Sequence, residues 1–417
     1  MILPVLLHIS FPFADRSAVQ ILSFRRPEYL LSAANEVRRT HKLVRQLLVS
    51  LLFIGFFFPV YAGGSLRISL LSCSPGEELY SIFGHSAFRV TDSLTGLDKV
   101  YNYGTFNFGE KNFYLKFMSG KLNYYLSTQS YPDFISDYQA ENRSVYEQVF
   151  NFSEEQALQL YRGLELNMVP QNRAYKYDFF WDNCSTRIRD KVEGSLSGSI
   201  QYPATPPLTF RDYLHKYLVP QPWSELGIDL ILGLPADKKT TAREAMFLPM
   251  EMMYVYDKTL VAGVNICSLS ENIIPAQARP THPGIFHPKW VLLALLVMTI
   301  LLYRFTPNSF LFRIYAGVFF LVIGLGGLII GFLWFIADHT TTDSNLHFIW
   351  ANPLCLLYPI RKKIFSATWL RSLTVIYALG LLFMIFGTLF LPQALPLTCI
   401  PLWVSLLVIL LTDLQRK

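Results

Sequence analysis

A cysteine set among polar residues is where this sequence first points to chemistry. Cys184 lies in YDFFWDNCSTRIRD, Tyr177 to Asp190, after an aromatic run and before residues with helical spacing. Free cysteines usually pack among apolar side chains. At a helix start, by contrast, unpaired N–H groups and the positive end of the helix dipole stabilise a thiolate. A thiolate nucleophile also needs a histidine that takes a proton and returns it. Outside the hydrophobic segments the candidates are His85, His215, His282 and His287. His282 and His287 lie in a proline-punctuated stretch, and His215 stands beside Lys216 on a helix face, the setting of a solvated side chain. His85 follows Gly84 and precedes the small Ser86 in ELYSIFGHSAFRV, at the head of a strand. Alone it reads as a structural histidine; with Cys184 it makes a nucleophile and a base.

A third polar group should orient the imidazole. Asn102 in VYNYG is expected on the next strand, with Tyr101 and Tyr103 facing the other way. Asp182 and Asn183 are alternatives, and their plainer role is to cap the Cys184 helix. The Cys184 N–H would contribute to an oxyanion hole. Arg187 and Arg189 follow within about a turn, placed either to meet a phosphate or to pair with acids at the surface.

The elements that must hold these residues divide by composition. Of 417 residues, 52% are hydrophobic and only 16% charged, which points to membrane segments. Residues 1–62 read as an N-terminal extension and signal peptide: Arg38, Arg39, Lys42 and Arg45 precede the apolar run Leu47 to Gly64, and Val60-Tyr61-Ala62 has the form of a cleavage site. An uncleaved anchor is the other reading. Residues 63–271 read as a mildly acidic α+β domain, with strands at 65–72, 86–92, 98–104, 121–127 and 144–152. Helices are expected at 112–120, 154–167 (capped by Ser153 with Gln156), 183–194, 208–217, 223–232 and 244–257. Residues 272–289 form a linker.

Residues 290–417 read as an all-α membrane domain of about five spans, at 290–303, 314–336, 346–360, 373–391 and 398–412. With five spans, Arg304, Arg313, Arg361, Lys362, Lys363, Arg371, Arg416 and Lys417 fall on one side, and the loops at 337–345 and 392–397 carry no Lys or Arg. That asymmetry places the α+β domain outside the cytoplasm. The expected arrangement is therefore a multi-pass membrane protein with the soluble domain on the non-cytoplasmic side. His339, in the outer loop with Asp338 and Asn345, has two readings: a polar group near the bilayer surface that holds a lipid head group or a substrate amine, or part of a simple solvated loop. No basic face suits nucleic acid. None of the five cysteines forms a C-x-x-C or zinc-type spacing, so neither a metal nor a cofactor is expected.

Histidine on an early strand and cysteine later on a helix reverses the order of papain, and resembles the permuted papain-like group that includes lecithin:retinol acyltransferase. More closely, LLSCSPGEELYSIFGHSAFRV, KVYNYGTFNF and FFWDNCSTRIRD resemble the periplasmic domain of the Lnb family, the Bacteroides-type lipoprotein N-acyltransferases. ADHTTTDSNLHFIWANPL extends the resemblance into the membrane region, so that it covers the chain from about residue 65 onward. It implies a permuted papain-like fold, with Cys184 as nucleophile and His85 as base, in the periplasm on a multi-pass region in the inner membrane. The acyl donor would be a membrane phospholipid and the acceptor the α-amino group of a bacterial lipoprotein's diacylglyceryl-cysteine. Two other readings use the same residues: a periplasmic cysteine peptidase, amidase or lipid hydrolase, and a receptor in which Cys184 is structural. Five spans favour a lipid substrate, because a cell-wall hydrolase needs only an anchor.

Overall fold

Alternation of apolar side chains along five successive strands builds the sheet from which the candidate residues project. The computed structural model describes residues 65–277 and 286–415; the expected signal peptide and residues 278–285 of the linker lie outside them. The strands are β1 (Leu66–Cys73), β2 (His85–Asp92), β3 (Leu97–Thr105), β4 (Asn123–Ser130), β5 (Val145–Val149), β6 (Ala174–Lys176) and, after a separate three-stranded sheet of two-residue strands, β10 (Glu271–Ile274). They form an antiparallel sheet in the order β10-β5-β1-β2-β3-β4-β6.

Both faces of this sheet are covered, as the continuous burial of β1 from Ile68 to Cys73 requires. Ile68, Leu70, Phe88, Tyr101 and Tyr103 pack with Ile188 and Val192 of the helix Cys184–Ser195 and with Leu160 and Leu164 of the helix Glu154–Met168. On the opposite face Leu71, Cys73, Ala87, Val100 and Val145 pack against Phe134 of the helix Tyr131–Ala140. This α+β layering agrees with the expected class. Two boundaries differ from expectation. The sheet takes in β10, three residues beyond the expected domain end at 271, because Asn272 and Ile274 pair with β5. The single helix expected at 244–257 is two, Ala242–Ala245 and Pro249–Tyr256. Pro249 has no N–H to continue a helix and instead occupies the first position of the next.

Among the described residues, four helices are long and apolar enough to cross a membrane: Pro288–Phe305, Phe310–Phe335, Ala367–Gly387 and, with its preceding turn, Leu397–Gln415. The remaining apolar run, expected as a span at 346–360, is not α-helical. It forms two 3₁₀ helices, Leu346–Ile349 and Pro353–Ile360, broken where Asn352 precedes Pro353. Irregular backbone within a bilayer must be enclosed by protein. Here it lies against the helix Phe310–Phe335, where Gly324 and Gly327 leave room for the backbone of Leu356 and Asn352. One end of the run meets Leu230 of the soluble domain through Asn345, and the other meets the last helix through Arg361 and Asp413, 2.7 Å apart. The segment therefore runs the height of the bundle.

Candidate active site

Cys184 opens its helix, and Asn183 explains why the helix starts there. The Asn183 side chain is buried; its Oδ1 accepts from Ser185 N (2.8 Å) and Thr186 N (2.9 Å), while Thr186 Oγ1 accepts from Asn183 N. Asn183 Nδ2 donates to Phe179 O and Phe247 O, which ties this helix start to the next layer. Of the two roles open to it, Asn183 takes the cap.

Two glycines bring the strands up to the cysteine. Gly84 has φ +84°, and a Cβ there would meet Cys73 O at 2.5 Å, so the chain turns tightly into β2 and presents His85 at its head. Gly104 has φ +89°, and a Cβ there would lie 3.7 Å from Cys184 Cβ and 4.0 Å from Tyr175 Oη and Tyr177 Cε2. Its missing side chain lets β3 pass close beside the Cys184 side chain.

His85, Asn102 and Cys184 come together. His85 Nε2 and Asn102 Oδ1 are 3.1 Å apart, Asn102 Nδ2 donates to Gln129 Oε1 (3.1 Å), and Gln129 Nε2 donates to Asp137 Oδ2 (3.1 Å). The direction of this chain is set at its far end. An ionised carboxylate only accepts, so Gln129 must donate its amide N–H and Asn102 must do the same. Asn102 Oδ1 then accepts the Nε2 proton of His85, which leaves His85 Nδ1 to accept from the thiol. Burial pushes the Cys184 thiol up, but the hydrogen bond to His85, the His85 charge, the Ser86 N–H and the Ser185 hydroxyl outweigh it and hold the thiol below its ordinary value. Cys184 as a residue is partly exposed, whereas the other four cysteines are buried.

The other expected residues have structural partners. Asp182 and Arg187 form a bidentate ion pair (2.5 and 2.8 Å), and the Arg187 guanidinium lies 3.5 Å over the Tyr175 ring. Arg189 is buried and bonds Asp190 and Arg243 O. His339 is held elsewhere, donating from Nε2 to Phe117 O (3.0 Å). Sequence reading passed over Tyr175, a three-residue-strand tyrosine among many. Its buried hydroxyl has no hydrogen-bond partner among the described residues and lies beside Gly104.

The outer loops of the bundle are fastened to this domain. Thr340 Oγ1 donates to Asp178 Oδ2 (2.6 Å), and Asp178 Oδ1 organises the turn before Cys184 by accepting from Phe180 N and Trp181 N. Gly233 N donates to Thr341 O, and Gln393 Nε2 donates to Leu232 O and Asn345 Oδ1. Below them the buried Arg211 pairs with Asp229 (2.8 Å) and Asp237 (2.9 Å). His215, Glu225 and Asp229 stand close enough together to be ligands for a cation. The Arg211 guanidinium and His215 Nε2 (2.9 Å), however, already engage the Asp229 carboxylate. Cys73 and Cys267 are both free.

Residues 59–216 match the family model described as the Lnb N-terminal periplasmic domain, and residues 280–415 match the one described as the Lnb transmembrane domain. The first match contains Cys184, His85 and Asn102. No match was found among curated proteins or solved structures.

Proposed function

Because the chain belongs to the Lnb family, a lipoprotein-modifying enzyme family with a periplasmic domain on a multi-pass membrane region, we propose that it is a cysteine-dependent lipoprotein N-acyltransferase. The inner membrane is the compartment this assigns. The observation that carries the reading is the meeting of a thiol held below its ordinary value with His85 and Asn102, on a domain fastened to a membrane bundle.

The reaction has two halves. The Cys184 thiol gives its proton to His85 Nδ1, and the thiolate attacks a phospholipid ester carbonyl. The tetrahedral oxyanion faces the Cys184 N–H and the unpartnered Tyr175 hydroxyl. Collapse breaks the acyl C–O bond, His85 returns the proton to the departing oxygen, and a lysophospholipid leaves. The α-amino group of a diacylglyceryl-cysteine lipoprotein then attacks the thioester carbonyl. His85 takes the amine proton, the C–S bond breaks, and the proton passes to the sulfur. A thioester suits this sequence because it stores the acyl group yet stays reactive toward amines. Asn102 keeps the imidazole proton on Nε2 throughout.

The test is a mass spectrum of a diacylated lipopeptide incubated with full-length protein and phospholipid, wild type beside Cys184→Ala. An acyl group added to the peptide amine by wild type alone is the expected result. Released fatty acid with unmodified peptide would replace transfer with lipid hydrolysis.

A further inference from the structure

The segment between β3 and β4 exposes an unusual density of large apolar side chains. Phe108, Tyr114, Leu115, Phe117 and Met118 are between 41% and 76% exposed, although only Phe113 of the helix Phe113–Met118 is buried. A soluble domain surface rarely keeps such a cluster in water.

Where the cluster sits identifies what covers it. Ser119 O accepts from Asp338 N (3.0 Å), and Phe117 O accepts from His339 Nε2 (3.0 Å). Asp338 is three residues past the end of the spanning helix Phe310–Phe335, a reach of at most about 11 Å. The short helix is thus pinned where that span leaves the bilayer. Aromatic side chains at the head of the first span mark the same level: Trp223 Nε1 donates to Phe286 O, and Trp290 is exposed one turn inside. Exposed Lys111 and Lys121 flank the apolar helix in sequence, and cationic side chains beside an apolar patch suit lipid phosphates.

We propose that the apolar side chains of the helix Phe113–Met118 enter the lipid leaflet facing the periplasmic domain, with Tyr114, Leu115, Phe117 and Met118 among the upper acyl chains and Lys111 and the Lys116–Glu110 pair (2.7 Å) at the headgroup level. The segment is also continuous with the site. Ring contacts run from Phe117 to Phe113 (6.2 Å) and on through Phe106 (5.8 Å), Tyr124 (5.4 Å) and Tyr177 (4.5 Å), whose ring lies beside Gly104 as the Cys184 side chain does. Resting on the acyl-transfer reading, this packed aromatic cluster ties the embedded segment to the site and so holds the sulfur near the lipid that supplies the acyl chain.

The experiment uses the full chain in phospholipid nanodiscs, in a Cys184→Ala background whose remaining four cysteines are buried. Leu115→Cys and, separately, Tyr114→Cys carry an environment-sensitive fluorophore, with Leu94→Cys on the β2–β3 turn as the solvent control. Quenching by phospholipid bearing a nitroxide at the top of the acyl chain should be at least about twofold stronger at 115 or 114 than at 94, as expected for side chains at the headgroup–acyl boundary. Equal quenching at all three sites would overturn the proposal. Two labelled positions guard against one misfolded variant. Because the protein used has no nucleophile, the outcome does not depend on whether Cys184 transfers acyl groups.

Discussion

Cys73 and Cys184 are both neighbours of the first residues of β2. Cys73 closes β1 opposite His85 in the strand register, and Cys184 opens the helix whose Ser185 Oγ meets Ser86 Oγ at 3.1 Å. Their surroundings drive them apart. Cys73 faces the Phe134 cluster with no exposure, and burial pushes its thiol up to about 12, despite the Tyr138 hydroxyl and the Arg143 charge, which pull it down. Cys184 also pays for desolvation, but it sits at a helix N-terminus, is partly open and has the imidazole as partner. Proximity to one histidine strand is therefore not what makes a thiol reactive. The exposure of the thiol and the groups aimed at it decide the matter.

The largest test of this contrast is to remove each sulfur in turn. Cys184→Ala should lower acyl transfer by at least about 10³-fold, since loss of a nucleophile leaves only binding and oxyanion stabilisation. The mass assay above reads it. Next, His85→Asn should cost on the order of 10²–10⁴-fold through loss of the general base. It should also raise the pH at which iodoacetamide alkylates Cys184: the imidazole bond and charge lower the thiol, so without them burial dominates and thiolate forms only at higher pH. An unmoved alkylation profile would mean the helix terminus alone activates the sulfur.

Asn102→Ala should follow at about 10²-fold, the scale of a misplaced catalytic group, while Gln129→Leu, one bond further out, should cost less and shift the pH–rate profile without unfolding the protein. Asn183→Ala should reduce stability in urea melts by about 1–2 kcal/mol from the lost cap, with the Phe179 and Phe247 carbonyls left unpaired besides. At the other end of the scale, Cys73→Ala should leave turnover near wild type and cost about 1 kcal/mol of stability. A loss of activity comparable to that of Cys184→Ala would erase the distinction between the two.

Elements with their own signals were legible before any coordinates. The helix Glu154–Met168 announced itself through Ser153 and Gln156, whose reciprocal capping bonds are both present. The Cys184 helix did so through Asp-Asn-Cys-Ser-Thr. The helix Tyr131–Ala140 was passed over although Ser130 caps it and Pro132 stands in its first turn, because Phe134 is its one buried side chain and the apolar period is weak. β6 and β10 are short edge strands defined by their partners' backbone rather than by their own residues. The run 346–360 was apolar enough for a span, but the break at Asn352-Pro353 outweighed hydropathy and left 3₁₀ turns. At the site, residue types identified Cys184 and His85. The chain from Asn102 through Gln129 to Asp137 depends on β3–β4 register and on a helix that was not anticipated. Tyr175 stands out only by a missing hydrogen bond, which no sequence displays.

The bonds from Thr340, Thr341, Asn345 and Gln393 to the soluble domain have a kinetic consequence. A domain on a slack tether sweeps a volume and meets partners at a rate governed by tether length. This one is held at one height above the lipid, so its encounters are confined to a plane. Turnover on membrane-borne substrates should then scale with their mole fraction in the bilayer and stay indifferent to dilution of the membranes themselves.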